Sequence, residues 1–539
     1  MKQIILKLMF LLAFALVLTT ANASNVTITT KPVLSAPDVA GIRTVSFEIR
    51  WDFSWHSLEP NNWDAVWIFA KYRLGSDEWD HLYMYDDSDP SVTNEVTALG
   101  SVPMTYKFGK TDDGSSTVGF FLYRKNPGRG SIPPTTVSFQ WKPNGTAFEK
   151  YKQRDDILPT DDITVKVFAI EMVYVPTGAF YLGSGGTENA HFRSTIADVP
   201  YKVLSEDWLV LDTLNAPDNN LTCANTAGVS YKNFGVANSI GPRDTLSDDY
   251  PKGFKAFYCM KYEISQGAYV DFLNTLTAVQ QQARLTQAGA QVNLNAAPGT
   301  RVFYMTNTSD KNGIEIVKPG IAEFGCDLNN NNNPNEADDG VNVACAMRCY
   351  DLMAYLDFSG LRPMSEMEYE KACRGTLDPV PNEYAWGSTF ATTNNAIKAG
   401  TLNTAFERPN LDYVNWLGTG QALLIRNGGF ATDSSTRISS GATYYGIMEM
   451  GNNLYELTVN VNSAQGRSFR KAHGDGRITA SGAMDVMYWP NDYTGFGLRG
   501  GNIGAGLDAS YSVSSRINAY WASSGNNAYN VGGRGVRTE

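Results

Sequence analysis

Hydrophobic and polar residues alternate strictly along residues 44–55, the first clearly patterned stretch of the chain. From Val45 onward every second side chain is apolar, and the positions between hold Ser, Glu, Arg and Asp. A period of two places the apolar side chains on one face, which predicts a half-buried β-strand. Similar runs follow, separated by clusters of Gly, Pro, Asn and Asp: AVWIFAKYRL, TVGFFLYRK, TTVSFQWKP and ITVKVFAIEM. The pattern predicts an all-β sandwich of the immunoglobulin or fibronectin type over residues 24–170.

The tryptophans of this region admit two interpretations. An indole face can stack on the C–H groups of a sugar, which would make them a carbohydrate platform. Side chains on the apolar face of a strand more commonly pack in a core, and this interpretation is favoured. The residues concerned are Trp51, Trp55, Trp63, Trp67 and Trp79.

A helical period replaces the alternation after residue 171. Ser265 can cap free backbone amides at the start of a helix, and apolar residues then recur at helical spacing. These residues are Tyr269, Phe272, Leu273 and Leu276. The pattern is then lost, and residues 275–345 are predicted to form an insertion.

A second helix is predicted in MSEMEYEKACRG, where Ser365 and Glu368 have the spacing of a capping box and Gly375 ends the helix. Glu366, Glu368 and Glu370 could be catalytic carboxylates. Acids in the first turns of a helix are also favoured by the helix dipole, and we prefer that explanation.

The 539 residues carry a net charge of −11, which argues against a nucleic-acid or anionic-membrane partner bound through bulk charge. Residues 1–23 combine Lys2 and Lys7, an apolar run and a final Ala-Asn-Ala, the pattern of a cleavable signal peptide. No later stretch has the roughly 20 apolar residues that a membrane span requires. The protein is expected to be secreted or periplasmic, without a lipid anchor.

Six cysteines therefore belong to a compartment that permits disulfides. Cys326 and Cys345 flank one Asn-rich loop and are the first candidates for a bridge, although six cysteines allow fifteen pairings. The histidines lack ligand spacing, so no metal triad can be assembled from them. They are His56, His81, His191 and His473.

Two stretches have the oxygen donors that calcium prefers. In YGIMEMGNNLYEL, the Asn453 amide, the main-chain carbonyl of Leu454 and the Glu456 carboxylate could hold a calcium ion, or Asn453 could cap a turn beside a solvated Glu456. In CDLNNNNNPNEADDG, four oxygen-bearing residues have EF-hand-like offsets, although the Gly and Glu of that motif are absent. These are Asp327, Asn329, Asn331 and Asp338. A solvated surface loop is the alternative there.

Five segments resemble, in the same order, the formylglycine-generating-enzyme family, also called the sulfatase-modifying-factor family. They are VYVPTGAFYLGSG, FYCMKYEISQGAYVDFLN, LRPMSEMEYEKACRG, YGIMEMGNNLYEL and VGGRGVR. In the fourth, Asn453, Tyr455 and Glu456 take the places of the family's Asn, Trp and Glu. The resemblance implies an α+β fold of the C-type-lectin-like kind with long loops over residues 171–539. It also implies a second calcium, for which Asn395 is the nearby match.

The family's oxidation of a sulfatase cysteine uses copper held by two cysteines that precede an arginine. Arg516 matches that arginine, and counting back from it puts Val513 and Asp508 at the two thiol positions. No cysteine follows Cys373. Copper(I) needs soft thiolate ligands, so copper and the oxidase chemistry are not expected here.

Three functions remain open. The favoured one is a secreted binding or structural protein, a pseudoenzyme whose loops contact an extracellular protein or a glycan. The second is an enzyme of the same fold with unidentified oxidoreductase-type chemistry. The third is a self-assembling scaffold component of an extracellular assembly.

Overall fold

The computed structural model describes residues 26–86, 95–143, 157–158, 161–212, 218–223, 243–287, 290–302, 312–336, 339–390, 424–431, 434–502, 511–519 and 530–538. The predicted signal peptide, residues 1–23, lies outside these residues, as do Asp338, Asn395 and Asp508. Within the described ranges no helix has the length and apolar character to cross a membrane.

Strands dominate the structure, as the alternating pattern predicts for the N-terminal region. The strands there are β1 (Thr27–Ile28), β2 (Val33–Leu34), β3 (Arg43–Ser57), β4 (Asn62–Leu74), β5 (Asp80–Leu82), β6 (Val96–Leu99), β7 (Met104–Lys110), β8 (Thr117–Arg124), β9 (Gly128–Trp141) and β10 (Ile163–Val175).

Beyond β10 the strands are shorter and helices are interspersed. The strands are β11 (Phe180–Leu182), β12 (Phe192–Ser194), β13 (Tyr201–Val203), β14 (Leu209–Asp212), β15 (Leu221–Cys223), β16 (Arg243–Leu246), β17 (Phe257–Met260), β18 (Thr286–Gln287), β19 (Ala290–Gln291), β20 (Ile314–Lys318), β21 (Glu323–Cys326), β22 (Arg362–Pro363), β23 (Tyr455–Val459), β24 (Phe496–Arg499), β25 (Val531–Gly532) and β26 (Gly535–Thr538). The helices are α1 (Gln266–Leu273), α2 (Ala278–Arg284), α3 (Cys349–Phe358), α4 (Glu366–Arg374), α5 (Arg437–Ser440) and α6 (Ala464–Arg467).

The N-terminal strands pack in two layers. Strand β3 pairs with β9, β4 pairs with β8 and β10, and the inner faces of the two groups enclose one apolar core. Trp51 and Trp67 are buried, as core packing predicts, whereas Trp55, Trp63 and Trp79 remain partly exposed.

The strict alternation predicted for β3 fails at its C-terminal end. The pairing with β9 shifts register between Trp51 and Ser54, and Phe53 has a φ of +51°. A bulge of this kind reverses which side chains face inward. Ser54 is therefore buried, and Phe53 and Trp55 are turned away from the core position that the period of two assigns to them.

Strand β10 connects the two halves of the molecule within one sheet. Its residues from Ile163 to Val173 pair with β4, and those from Met172 to Val175 pair with β17 of the second half. Both halves consequently contribute strands to one 13-stranded sheet. The predicted boundary at residue 170 falls inside this continuous strand.

The predicted helix starts are confirmed. The Ser265 hydroxyl accepts a hydrogen bond from the Ala268 amide at 3.2 Å at the start of α1. Ser365 and Glu368 form a complete capping box at the start of α4. The predicted insertion, residues 275–345, contains α2 and the strands β18 to β21.

Candidate functional site

Helix α4, which contains one of the family-like motifs, has three buried acidic side chains. Each one contacts an arginine: Glu366 contacts Arg516, Glu368 contacts Arg362, and Glu370 contacts Arg499. The N–O distances are 2.7, 2.6 and 2.6 Å. The preferred sequence interpretation, acids favoured by the helix dipole, missed these ion pairs. Arg516 and Arg499 lie 150 and 129 residues from their glutamates, and although Arg362 lies only six residues before Glu368, no local motif marks that contact.

Arg516, the match to the family's site arginine, is fully buried. Its Nε and Nη2 donate to the two carboxylate oxygens of Glu366 at 2.7 and 2.9 Å, and Nη2 also donates to Asn462 Oδ1 at 2.8 Å. Its guanidinium carbon lies 4.0 Å from the ring centre of Phe192. A bidentate pair of this kind fixes the guanidinium in one orientation.

Val513, at one of the two thiol-equivalent positions, is buried in an apolar cluster. Its neighbours in that cluster include Tyr511 and Trp386. The Val513 amide donates to Glu383 O at 2.9 Å and its carbonyl accepts from Arg499 at 3.0 Å. The side chains packed in this cluster are mostly apolar, and Val513 itself supplies no thiolate.

A thiol nevertheless reaches Arg516 from another part of the chain. Cys223, the last residue of β15, has its Sγ 2.6 Å from Arg516 Nη1. Burial raises the pKa of Cys223 to about 12, against the opposing effect of Arg516, so the thiol stays protonated at neutral pH. No local motif marks this contact, because Cys223 and Arg516 lie 293 positions apart in the sequence.

The Asn453 turn has the backbone conformation that its sequence suggests, with a φ of +69°. Asn453 Oδ1 accepts from the Ile425 amide at 3.0 Å, and Asn453 Nδ2 donates to Glu263. Glu263 also accepts the Leu454 amide at 3.0 Å. Glu263 was missed by the sequence analysis, although it lies next to the predicted start of α1.

Glu456 is buried rather than solvated, and Arg534 Nε donates to its Oε1 at 2.7 Å. Glu263 and Glu449 belong to the same electrostatic cluster, so three carboxyl groups share one guanidinium. Burial raises the pKa of Glu449 to about 8 and raises the pKa of Glu263 and Glu456 as well. Such a cluster must bind either protons or a cation.

Several oxygens in this cluster have no hydrogen-bond partner among the described residues. Among the described residues, Glu456 Oε2, Glu449 Oε2 and Asn427 Oδ1 are buried without a hydrogen-bond partner. Buried acceptors are normally satisfied. Oxygen donors are the ligands that calcium prefers, and calcium binding at this turn stays a prediction.

The Asn-rich loop uses its oxygens locally. The Asp327 carboxylate accepts the amides of Asn331 at 3.1 Å and Asn332 at 2.9 Å, and Asn329 accepts the Asn331 amide at 2.9 Å. The Asn331 side chain donates to Glu336 at 2.6 Å. Strand β21, rather than a helix, precedes the loop. Calcium binding here stays a prediction.

A separate acidic cluster joins the loop around residues 475–485 to α3. Side-chain oxygens of Asp357, Asp475 and Asp485 lie within 4.8 Å of one another. Asp357 accepts the backbone amides of Asp475 at 3.3 Å and Asp485 at 3.0 Å. Burial, with the charge of Asp475, raises the pKa of Asp357 well above its ordinary value, which favours the protonated form of this carboxyl group.

All six cysteines are buried free thiols. Cys326 and Cys345 belong to the same apolar cluster. Burial raises the pKa of the Cys345 thiol, and the nearby Cys326 raises it further. The bridge between them stays a prediction.

A comparison with known families covers the part of the chain that contains α4 and the Asn453 turn. The family model for the sulfatase-modifying factor enzyme 1-like domain matches residues 247–537, more than half of the chain. The chain belongs to the sulfatase-modifying-factor family, which confirms the resemblance found in its motifs. A search of curated proteins finds no match.

Proposed function

We propose that this protein is a secreted, non-catalytic member of the sulfatase-modifying-factor family that acts as a binding or structural module. The observation that carries the proposal is the surroundings of Val513 and Arg516. The family's copper-binding thiol is replaced by a valine packed among apolar side chains, and the arginine is held by Glu366. Thiolates are the ligands that hold copper(I), and neither equivalent position supplies one.

The test is an assay for formylglycine formation. The mature chain, from residue 24, is incubated with copper(I), oxygen and a cysteine-containing sulfatase peptide, and the aldehyde is detected by mass spectrometry. We expect no aldehyde above that in a copper-only control. Turnover of the peptide to the aldehyde would contradict the proposal.

The contact between Cys223 and Arg516 allows a test of the second candidate, an oxidoreductase-type enzyme of this fold with unidentified chemistry. A reactive thiol is one that ionises readily, whereas burial keeps Cys223 protonated. Alkylation of the native chain should therefore leave Cys223 unmodified, and alkylation after unfolding should modify it. Rapid native alkylation would favour the enzyme.

We also propose a structural calcium ion held by Asn453, the main-chain carbonyl of Leu454 and Glu456. The support is the buried excess of carboxyl groups around Arg534 and the unpartnered oxygens beside it. Calcium would supply charge compensation and tie the Asn453 turn to β23. Its effect is expected on stability, because an ion that binds only the folded chain stabilises it by mass action.

The extracytoplasmic location is proposed from the signal-peptide pattern of residues 1–23. N-terminal sequencing of the exported protein should begin at Ser24. Light scattering on the same material separates a monomeric binding module from the self-assembling scaffold.

A further inference from the structure

A large cavity opens where the N-terminal strands meet the second half of the chain. It has a volume of about 390 Å³ and opens widely to solvent. Strands β3 and β4 supply one wall, with Phe53, Trp55, Ser57 and Asn62, and Ala431 together with residues between 435 and 448 supplies much of the other. The first wall lies outside residues 247–537, so the cavity is not a feature of the family domain alone.

The β3 bulge places the aromatic rings in this wall. The buried Asp64 carboxylate holds the bulge, because it accepts Trp51 Nε1 at 2.9 Å, Ser54 Oγ at 2.8 Å and the Trp55 amide at 2.8 Å. Phe53 adopts a left-handed φ, which a bulky side chain rarely does. Such strain concentrates at binding sites, where it fixes a functional orientation.

The opposite wall is fitted to Trp55. A Cβ atom at Gly446 would lie 2.9 Å from the Trp55 ring, so the glycine allows the ring to lie against the backbone. Asn62 Nδ2 donates to the Tyr445 carbonyl at 2.9 Å, which ties the two walls together. The cavity is therefore built by direct contacts between the two halves.

Two buried polar groups in this cavity have no partner among the described residues. The Tyr445 hydroxyl and Arg437 Nε are both buried without a hydrogen bond, and the Tyr445 side chain is 2% exposed. Leaving a buried polar group unpaired costs about 1–3 kcal/mol. A ligand that accepts from these groups would recover that cost.

The charge of the lining selects an anion. It contains two cations, Lys261 and Arg437, and no acidic residue. Lys261 is already neutralised by Glu171, whose Oε2 lies 3.0 Å from its Nζ. Arg437 instead donates to the carbonyls of Cys373 and Ala385 at 3.1 and 3.0 Å, and no described carboxylate lies within salt-bridge distance of it. Arg437 thus provides the positive charge for a ligand.

We propose that this cavity binds an acidic saccharide, a sugar that carries a carboxylate or a sulfate. Trp55 is partly exposed, with Lys261 Nζ 5.0 Å from the centre of its ring, and its exposed part can contact sugar C–H groups. Arg437 and Tyr445 offer donors for the acid and a hydroxyl. Hydroxyl side chains complete the lining, a composition suited to a polyhydroxylated ligand: Ser57, Ser435, Thr436, Ser440 and Thr443. The inference names a ligand for the proposed binding function and rests on that function.

The test is titration of the mature chain, followed by tryptophan fluorescence and calorimetry. The probes are tetragalacturonate, its methyl ester, a sulfated disaccharide and neutral cellotetraose. We expect saturable binding of tetragalacturonate or the sulfated sugar, at least tenfold tighter than binding of the ester or cellotetraose. A comparison of the binding of tetragalacturonate with that of the sulfated disaccharide shows whether the preferred acidic group is a carboxylate or a sulfate.

Tyr445→Phe is the most informative variant, because it removes only an unpartnered hydroxyl. It should keep or raise the melting temperature and weaken acidic-sugar binding about tenfold, the effect of one lost hydrogen bond. Arg437→Gln should abolish the preference for the acid over the ester, and Trp55→Ala should abolish binding.

Matched controls lie outside the cavity. Trp79→Ala removes a partly exposed tryptophan that stacks on Arg73, and Arg470→Gln removes an exposed arginine; both should bind like the parent chain. Absence of acidic-sugar binding at millimolar concentrations, equal binding of acid and ester, or unchanged binding by Tyr445→Phe would each overturn the proposal. The peptide assay for formylglycine is independent of all these outcomes.

Discussion

At the scale of single residues, Asn453 both adopts the left-handed backbone conformation of its turn and hydrogen-bonds two distant parts of the chain. Its φ of +69° is tolerated by Asn, and its amide connects Ile425 to Glu263. The sequence predicts the turn and its Asn, because the conformational preference is local. The two partners could not be predicted, since neither is near Asn453 in sequence.

Asn453→Ala should lower the free energy of unfolding by about 3 kcal/mol in chelator, because it adds backbone strain and removes one of the two donors to the buried Glu263 carboxyl group. The loss should be larger in calcium if the turn holds the ion. Asn453→Gly is the matched control, since glycine adopts this φ freely and removes only the amide. Thermal melts of both variants in calcium and in chelator decide this. For each variant, equal losses in the two buffers would rule out calcium at this turn.

Glu366 tests the buried ion pairs around α4. Glu366→Gln should lower the free energy of unfolding by about 3–5 kcal/mol, because it leaves the Arg516 charge buried without its counter-ion. The exposed Glu323 on β21 provides the control, and Glu323→Gln should change stability by less than about 0.5 kcal/mol. Denaturant unfolding of the two variants gives the comparison. Similar small losses would mean that Arg516 finds another partner.

At the scale of elements, local sequence signals predicted where helices begin, but they were less successful in predicting which side chains of a strand face the core. The caps of α1 and α4 were readable because a cap needs only residues within one turn. The inward face of β3 was misassigned beyond Trp51, because the bulge depends on Asp64 in the next strand. The ion pairs of α4 with Arg499 and Arg516 were hidden for a similar reason, because the two arginines lie 129 and 150 residues away in sequence.

His473 controls how the last strand responds to acid. Its Nδ1 bonds Asp112 at 2.9 Å, and its Nε2 accepts the Thr538 amide of β26 at 2.9 Å. Burial, followed by the charge of Arg537, lowers the pKa of His473 to about 4 from an ordinary 6.5. The unfolded chain therefore takes up this proton at a higher pH than the folded chain does.

Stability from His473 is complete above pH 6.5 and is lost as the pH falls from about 6.5 to 4, by up to about 3 kcal/mol. Gln can donate to Asp112 and accept from Thr538 without titrating, so His473→Gln should flatten this part of the profile. Urea unfolding at several pH values between 4 and 7 measures the difference. Parallel profiles for the two chains would contradict the assignment.

At the scale of the whole molecule, the two halves form one folding unit. They share β10 and the apolar cluster that includes Trp67 and Phe358, and Trp67 Nε1 donates to the Ser359 carbonyl at 2.8 Å. Separating the halves would expose an apolar surface and an unpaired strand edge. Such surfaces aggregate.

Calorimetry of the mature chain should therefore show one cooperative transition, because a shared core couples the halves. A fragment of residues 171–539 should be insoluble or lack a cooperative transition. A fragment of residues 161–539, which keeps all of β10, is the control for truncation of the strand alone and should also fail without β4. Two independent transitions in the full chain would show that the halves fold separately.

The sequence by itself determined the β-rich N-terminal region, the family of the C-terminal region, the helix caps and the missing thiols beyond Cys373. These features depend on periodicity, local hydrogen bonding or residue identity, all of which a linear chain displays. Only the tertiary structure decided which distant groups meet: Cys223 at Arg516, three glutamates at Arg534, and Trp55 opposite Tyr445. The protonation and hydrogen bonding of these groups depend on burial and on contacts between segments that are remote in sequence. A local sequence pattern contains no information about such contacts.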